Sequence, residues 1–333
     1  MGFHAYAAHR EKGALKPFVY EPEPLGPHGV EIRISHCGIC HSDVHLVDGD
    51  WGVGRYPMVP GHEIVGTIAA AGPEVRYLAV GQRVGVGWQR SACLECEWCI
   101  SGQENLCARE VATCVDQHGG FAERIRVDGR FAFPIPEALS SEHAAPLLCG
   151  GVTVYAPLSR WVRPSMRVGV VGIGGLGHLA LQFARAMGCE VTALSTSADK
   201  EAEARCFGAH RFIAIGEPKA LRAAGQALDF VLSTAFLAPD WKGLLRTLRP
   251  NGVLCLVGAP EEPLQLDTGS MLGRQLSVTT SAIGGRPAIR EMLEFAARHG
   301  IVPKTQLRSL AAADAALDGV RQGQARYRIV LAA

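Results

Sequence analysis

The amino-acid sequence predicts a chain in two parts, a β-rich first third followed by a doubly wound parallel α/β sheet. Three observations carry that prediction. Residues 30–36 (VEIRISH) alternate apolar and polar side chains, as a half-buried strand does. Residues 168–171 (VGVV) form an uninterrupted apolar run, as strands buried on both faces do. From there on, apolar strand runs and helical patterns take turns along the chain, the mark of a parallel sheet with crossover helices.

In order, residues 64–70 and 83–87 are further β-rich runs broken by glycine, and glycines and prolines around 56–61 mark turns. After residues 168–171 comes a glycine cluster. Leu176, Leu179, Ala180, Phe183, Ala184 and Met187 then recur at helical spacing up to Gly188. Residues 190–195 read as the next strand and 200–207 as a short helix ended by Gly208. Ile213 and residues 230–232 and 253–257 supply later apolar runs, and 276–281 a possible edge strand. A helix at 287–298 and an apolar run at 327–331 fit the α/β part less well, so the chain is expected to return to its first part. The domains expected are 1–148, 149–285 and 286–333.

Bulk properties exclude several classes. With 333 residues, 48% hydrophobic and 20% charged, the chain can bury two cores without staples. A formal charge of +1 with no basic run leaves no footprint for nucleic acid. No apolar stretch is long enough to span a bilayer, and residues 1–4 lack the charged start of a secretory leader. A cytoplasmic location is expected. An odd set of eleven cysteines then argues for thiols and metal rather than disulfides.

Gly172-Ile173-Gly174-Gly175-Leu176-Gly177 matches G-x-G-x-x-G between a predicted strand and a predicted helix, the context that dinucleotide binding requires. Gly172 permits the tight turn, Gly174 lets the backbone approach a pyrophosphate, and Gly177 lets helix and strand pack closely. Cys93, Cys96, Cys99 and Cys107 crowd one loop. Four thiolates close the tetrahedral shell of a zinc ion and leave no open position, so this site is expected to be structural. A second, dispersed constellation comprises residues 40–45 (CHSDVH), Gly61-His62-Glu63 and Cys149. It offers two thiolates and an imidazole, with a fourth position left for water or substrate.

Residues 37–45, the Gly61-His62-Glu63 run, the four-cysteine loop, Cys149 and residues 172–178 together resemble the zinc-containing medium-chain dehydrogenase/reductase superfamily. The wording of residues 37–43 (CGICHSD) and 172–178 (GIGGLGH) is closest to its cinnamyl-alcohol-dehydrogenase-like branch, which includes bacterial aldehyde reductases. The resemblance covers nearly the whole chain. It implies a GroES-like catalytic domain and a Rossmann coenzyme domain. It implies two zinc ions, the catalytic one held by Cys40, His62 and Cys149, with Glu63 beside the metal as an occasional ligand. Asp43 would orient His62. Cys37 is not a ligand position in the family, and Cys114, Cys189, Cys206 and Cys255 read as packing thiols.

The resemblance further implies hydride transfer between a nicotinamide dinucleotide and an alcohol or aldehyde, with zinc as Lewis acid. Ser42 would hydrogen-bond the substrate oxygen, and a relay through the cofactor ribose would end at His45. His41 stands where many relatives carry an arginine facing the pyrophosphate, and Thr153 matches a position beside the nicotinamide. Trp51 and Trp88 align with the substrate pocket, favouring apolar or aromatic aldehydes.

Where an NAD-specific fold carries an acid, this chain has Ser195, followed by Thr196, Ser197 and Lys200; these predict NADP(H), with Asp199 the one feature against it. Two rival functions remain. An NAD-dependent zinc polyol or secondary-alcohol dehydrogenase would need an acid at that strand end. A non-catalytic NADPH-binding sensor would be expected to have lost the zinc ligands, all of which are present here. The default assembly is a homodimer acting on small molecules.

Overall fold

The computed structural model describes residues 2–217, 219–236, 240–258 and 263–333. The chain divides into two compact units, Met1–Val152 with Gly284–Ala333, and Thr153–Ile283.

In the first unit, among the described residues, a seven-stranded sheet is organised around the strand Gly29–Ile39. That strand pairs antiparallel with Glu63–Ala71, with Arg124–Asp128 and with the C-terminal strand Arg328–Ala332. The last pairing sets Leu331 opposite Cys37 and Val330 opposite Gly38. Residues from the two ends of the chain therefore meet within one sheet. The core beneath it contains Val30, Ile32, Ile64, Ile68, Val84 and Phe121.

The first third, expected to be all β with turns, also holds helices His41–Asp48 and Glu97–Ile100. Helix His41–Asp48 follows the central strand directly. It is too short to show a clear 3.6-residue periodicity, and its ends define it instead. Cys40 is the N-cap, and Asp43 reaches back so that its Oδ2 accepts the Cys40 N–H at 2.9 Å. Gly49 closes the helix in the left-handed conformation at φ 76°. Helix Ser141–Pro146 and a π-helical turn, Leu147–Gly151, also belong to this unit and carry Cys149.

In the second unit, the described residues form a six-stranded, all-parallel sheet. Its order is Arg211–Ala214, Glu190–Ser195, Arg167–Val171, Leu228–Ser233, Leu248–Leu256, Ser277–Thr280. The chain starts in the middle and winds outward both ways, so the topology switches between Arg167–Val171 and Leu228–Ser233. Ligands of open α/β sheets bind beyond the strand ends at such a switch. Helix Gly177–Ala186 follows the first strand, as the apolar spacing predicts. Ser277–Thr280 stands at the sheet edge, as anticipated for residues 276–281. Among the described residues, no helix is long and apolar enough to cross a membrane.

Candidate active site and metal centres

The dispersed constellation converges within the first unit. One ligand atom from each of Cys40, His62, Glu63 and Cys149 lies within 4.8 Å of the other three, and all four residues are buried. The elements that bring them together are the N-cap of helix His41–Asp48, the start of strand Glu63–Ala71 and the π-helical turn.

Asp43 organises the group. Its Oδ1 accepts from the Gly61 N–H at 2.8 Å and from His62 Nδ1 at 3.0 Å. A carboxylate at Nδ1 places the proton there and leaves Nε2 as a lone-pair donor. Nε2 is fully buried without a hydrogen-bond partner, and so is Glu63 Oε2. Buried polar atoms are normally satisfied, so two orphans facing two thiols call for a cation. Without a cation the group holds its own protons, which a bound metal would displace. Burial disfavours a charged His62, yet the Asp43 carboxylate pushes its pKa well above the usual histidine range. A hydrogen bond from Cys149 holds the Cys40 thiol well below its ordinary range, and the same contact raises Cys149. The donor set of two thiols, an imidazole and a carboxylate suits zinc.

Two contributors escaped the sequence reading. The Arg328 guanidinium pairs with Glu63 Oε1, and both side chains are buried. Burial pushes the Glu63 carboxyl up to about 7, against the pull of Arg328. An arginine inside an apolar strand run was the available signal. Asp50 accepts from His45 Nδ1 at 2.7 Å; nothing in its sequence context distinguishes it from a solvated turn residue.

Ser42 Oγ lies 3.7 Å from Cys40 Sγ. Aromatic rings in contact extend from His62 to the exposed Trp51. Trp88 meets His62 edge-on at 5.0 Å and Trp51 at 6.1 Å. Trp51, 46% exposed, stacks on His45 at 5.2 Å, and His45 stands 5.4 Å from the exposed His41. Cys37 hydrogen-bonds the Gly38 carbonyl and lies outside the ligand group. Cys114 is buried within reach of Asp43 and His62.

Cys93, Cys96, Cys99 and Cys107 form the second cluster, again with ligand atoms within 4.8 Å. Cys93 Sγ lies 3.7 Å from Cys99 Sγ and 3.5 Å from Cys107 Sγ. A zinc–sulfur bond of about 2.3 Å gives a tetrahedron edge of about 3.8 Å, so the spacing fits. The backbone N–H groups of Cys96 and Arg109 point at Cys93 and Cys107 sulfurs at 3.4 and 3.3 Å. Such donors favour the thiolate, and the amides of Glu95 and Cys96 bring Cys93 down to about 6.

In the second unit, Gly172 adopts φ +86°, and a Cβ at Gly177 would lie 1.8 Å from the Gly172 carbonyl. Both positions therefore require glycine. A Cβ at Gly174 would meet nothing within 4 Å, leaving the open space a pyrophosphate needs. Gly175 and Leu176 complete the loop, Lys200 Nζ donates to the Ile173 carbonyl at 2.7 Å, and Thr153 is buried on helix Val152–Trp161. Ser195 is also buried, its Oγ accepting the Ser197 N–H at 3.2 Å, while Thr196 and Ser197 are exposed.

Known proteins share this layout. Residues 26–137 match the alcohol dehydrogenase GroES-like domain, and residues 175–298 match the zinc-binding dehydrogenase family. An aldehyde reductase, AdhA, of Synechocystis sp. is 43% identical over 328 residues, 98% of each chain. The solved structure of a cinnamyl alcohol dehydrogenase from Sorghum bicolor superposes with a TM-score of 0.96 at 34% identity, covering 100% of this chain and 98% of that one. The enzyme from Helicobacter pylori, solved as a complex with NADP(H), gives 0.91 at 34% identity with the same coverage. Ligand geometry, sheet topology and these relatives agree: the chain belongs to the zinc-containing medium-chain dehydrogenase/reductase superfamily, in its cinnamyl-alcohol-dehydrogenase-like branch.

Proposed function

We propose that this chain is an NADP(H)-dependent aldehyde reductase, interconverting an apolar or aromatic aldehyde and its primary alcohol. The observation that carries the proposal is the buried convergence of Cys40, His62, Glu63 and Cys149, with His62 Nε2 left unpartnered. Cys40, His62 and Cys149 would hold a catalytic zinc with Glu63 in reserve, and the four-cysteine loop a structural one. When bound, zinc supplies Lewis acidity toward a carbonyl or alcohol oxygen, and the nicotinamide supplies or accepts the hydride.

The chain's own residues supply the rest. In reduction, Ser42 donates a proton to the substrate oxygen. His45, three residues on and on the same helix face, exchanges protons with solvent, while Asp50 fixes its ring through Nδ1. Trp51 and Trp88 offer flat apolar walls, which supports an aromatic or apolar substrate. Thr196, Ser197 and Lys200 would receive the 2′-phosphate, with Ser195 shaping their turn. His41 and Thr153 would contact the pyrophosphate and nicotinamide sides of the cofactor. The edge position of Ser277–Thr280 supports a homodimer formed by strand pairing, and we take the enzyme to be cytoplasmic. A panel of aliphatic, aromatic and sugar aldehydes assayed with NADPH and NADH tests the proposal. Turnover confined to polyols with NAD overturns it.

A further inference from the structure

Helix His41–Asp48 carries Ser42 and His45, so its placement sets where both side chains stand. Its N-terminus is tied to the metal ligands through Asp43. Its C-terminus is tied elsewhere. The Asp48 carboxylate accepts two bonds from Arg321, from Nε at 2.9 Å and from Nη2 at 2.7 Å. This fork-to-carboxylate geometry fixes direction as well as distance. Asp48 is only 12% exposed and Arg321 32%, so solvent screens the pair less than an open surface bridge.

Arg321 is itself well anchored. It ends helix Ala313–Arg321, whose Ala313, Ala316, Leu317 and Val320 lie in the same core cluster as Val44, Leu46 and Val47 of the first helix. At the other end of that later helix, Asp314 Oδ1 accepts the Leu15 N–H at 2.7 Å. A second salt bridge, to Asp318, further restrains the guanidinium. Helix Ala313–Arg321 is thus a rigid base from which one side chain reaches the end of the helix bearing Ser42 and His45.

We propose that Arg321 is a positioning residue for the proton path, holding Ser42 and His45 in register with the ligand group through Asp48. The inference rests on the relay proposed above. Without the fork, the helix keeps its tie at Asp43, its core packing and the Tyr56 bonds to the Leu46 and Val47 carbonyls, but loses the ionic restraint that fixes the direction of its last turn. A displacement of about 1 Å from a remote change can cost up to about a hundredfold in rate.

Arg321→Met should lower kcat about tenfold, leave the aldehyde KM and zinc content unchanged, and let imidazole buffer restore part of the rate. Loss of general stability produces no such rescue. Asp48→Asn should reproduce the effect, the double variant should be no slower than either single one, and Arg321→Lys should recover part of it. If Arg321→Met does not fold, Asp48→Asn, which preserves side-chain volume, carries the test alone. Wild-type kcat in these variants while Ser42→Ala is slow overturns the positioning role alone. Wild-type kcat in Ser42→Ala itself overturns the relay, and this inference with it.

Discussion

Asp43 and His62, both fully buried, are joined by a 3.0 Å hydrogen bond from Nδ1 to Oδ1, and the second oxygen of the same carboxylate holds the N-cap amide of Cys40. One side chain therefore orients two of the proposed metal ligands, Cys40 and His62, which lie 22 residues apart in sequence. Partners of this kind typically contribute about 10–100-fold in metal affinity or activity. Asp43→Ala should weaken zinc retention at the catalytic site by that order, with the four-cysteine site unaffected. Competition with a chromophoric chelator measures both; equal retention by variant and wild type counts against the role.

Two zinc ions per chain are expected, of unequal lability. The closed sulfur shell should resist chelators longer than the site with an exchangeable position. Cys149→Ser should abolish turnover and keep one zinc and the native fold. Cys99→Ser should lower thermal stability or solubility, because a structural zinc contributes folding free energy directly. Metal analysis of freshly purified active protein that finds no zinc contradicts both statements.

Ser42→Ala should slow turnover by at least about 10²–10⁴-fold, the usual contribution of a positioned acid–base group. His45→Gln should cost less and respond to external buffer. Asp50→Asn should lie between His45→Gln and wild type, since it only loosens the imidazole. Steady-state rates across a buffer series decide the ranking.

NADPH should be preferred over NADH by at least about a hundredfold in kcat/KM. Hydrogen bonds to a charged group contribute about 1.5–3 kcal/mol each, and two or three are available from Thr196, Ser197 and Lys200. Ser195→Asp should flatten or reverse the preference with zinc content unchanged. An equal or better kcat/KM for NADH in the wild-type enzyme defeats the assignment.

Burial raises the Glu63 carboxyl from 4.5 to about 7. A raised folded-state pKa means that the folded chain binds this proton more tightly than the unfolded chain. The resulting stability is complete below about pH 4.5 and is lost as pH rises through about 7. Zinc-stripped protein should therefore unfold at a lower temperature at about pH 8 than at about pH 6, and Glu63→Gln should remove this component. At about pH 8, Arg328→Leu should destabilise by about 3–5 kcal/mol, because it leaves the ionised Glu63 buried without its partner, and at about pH 6, where the carboxyl is protonated, it should cost less. Calorimetry of the three proteins at both pH values reads each effect.

Local spacing alone made the strand–helix alternation, the glycine turn and the four-cysteine loop legible, because each is written in residues close in sequence. Gly172 and Gly177 are demanded by a single turn, and four thiols within one loop need no distant partner. The dispersed set was suggested by its donor chemistry, and the assignment of Cys40, His62 and Cys149 as ligands came through its resemblance to known enzymes. Helix His41–Asp48 was not readable, since eight residues defined by caps leave little periodicity. Tertiary structure alone decided that Arg328 lies under Glu63 and Arg321 against Asp48, whereas Asp50 on His45 is a local contact across five residues. Two of these contacts join residues more than 260 positions apart, brought together when strand Arg328–Ala332 pairs with Gly29–Ile39. Side-chain chemistry marks a residue as able to hold a charge, but sheet pairing and core packing determine which charge it meets.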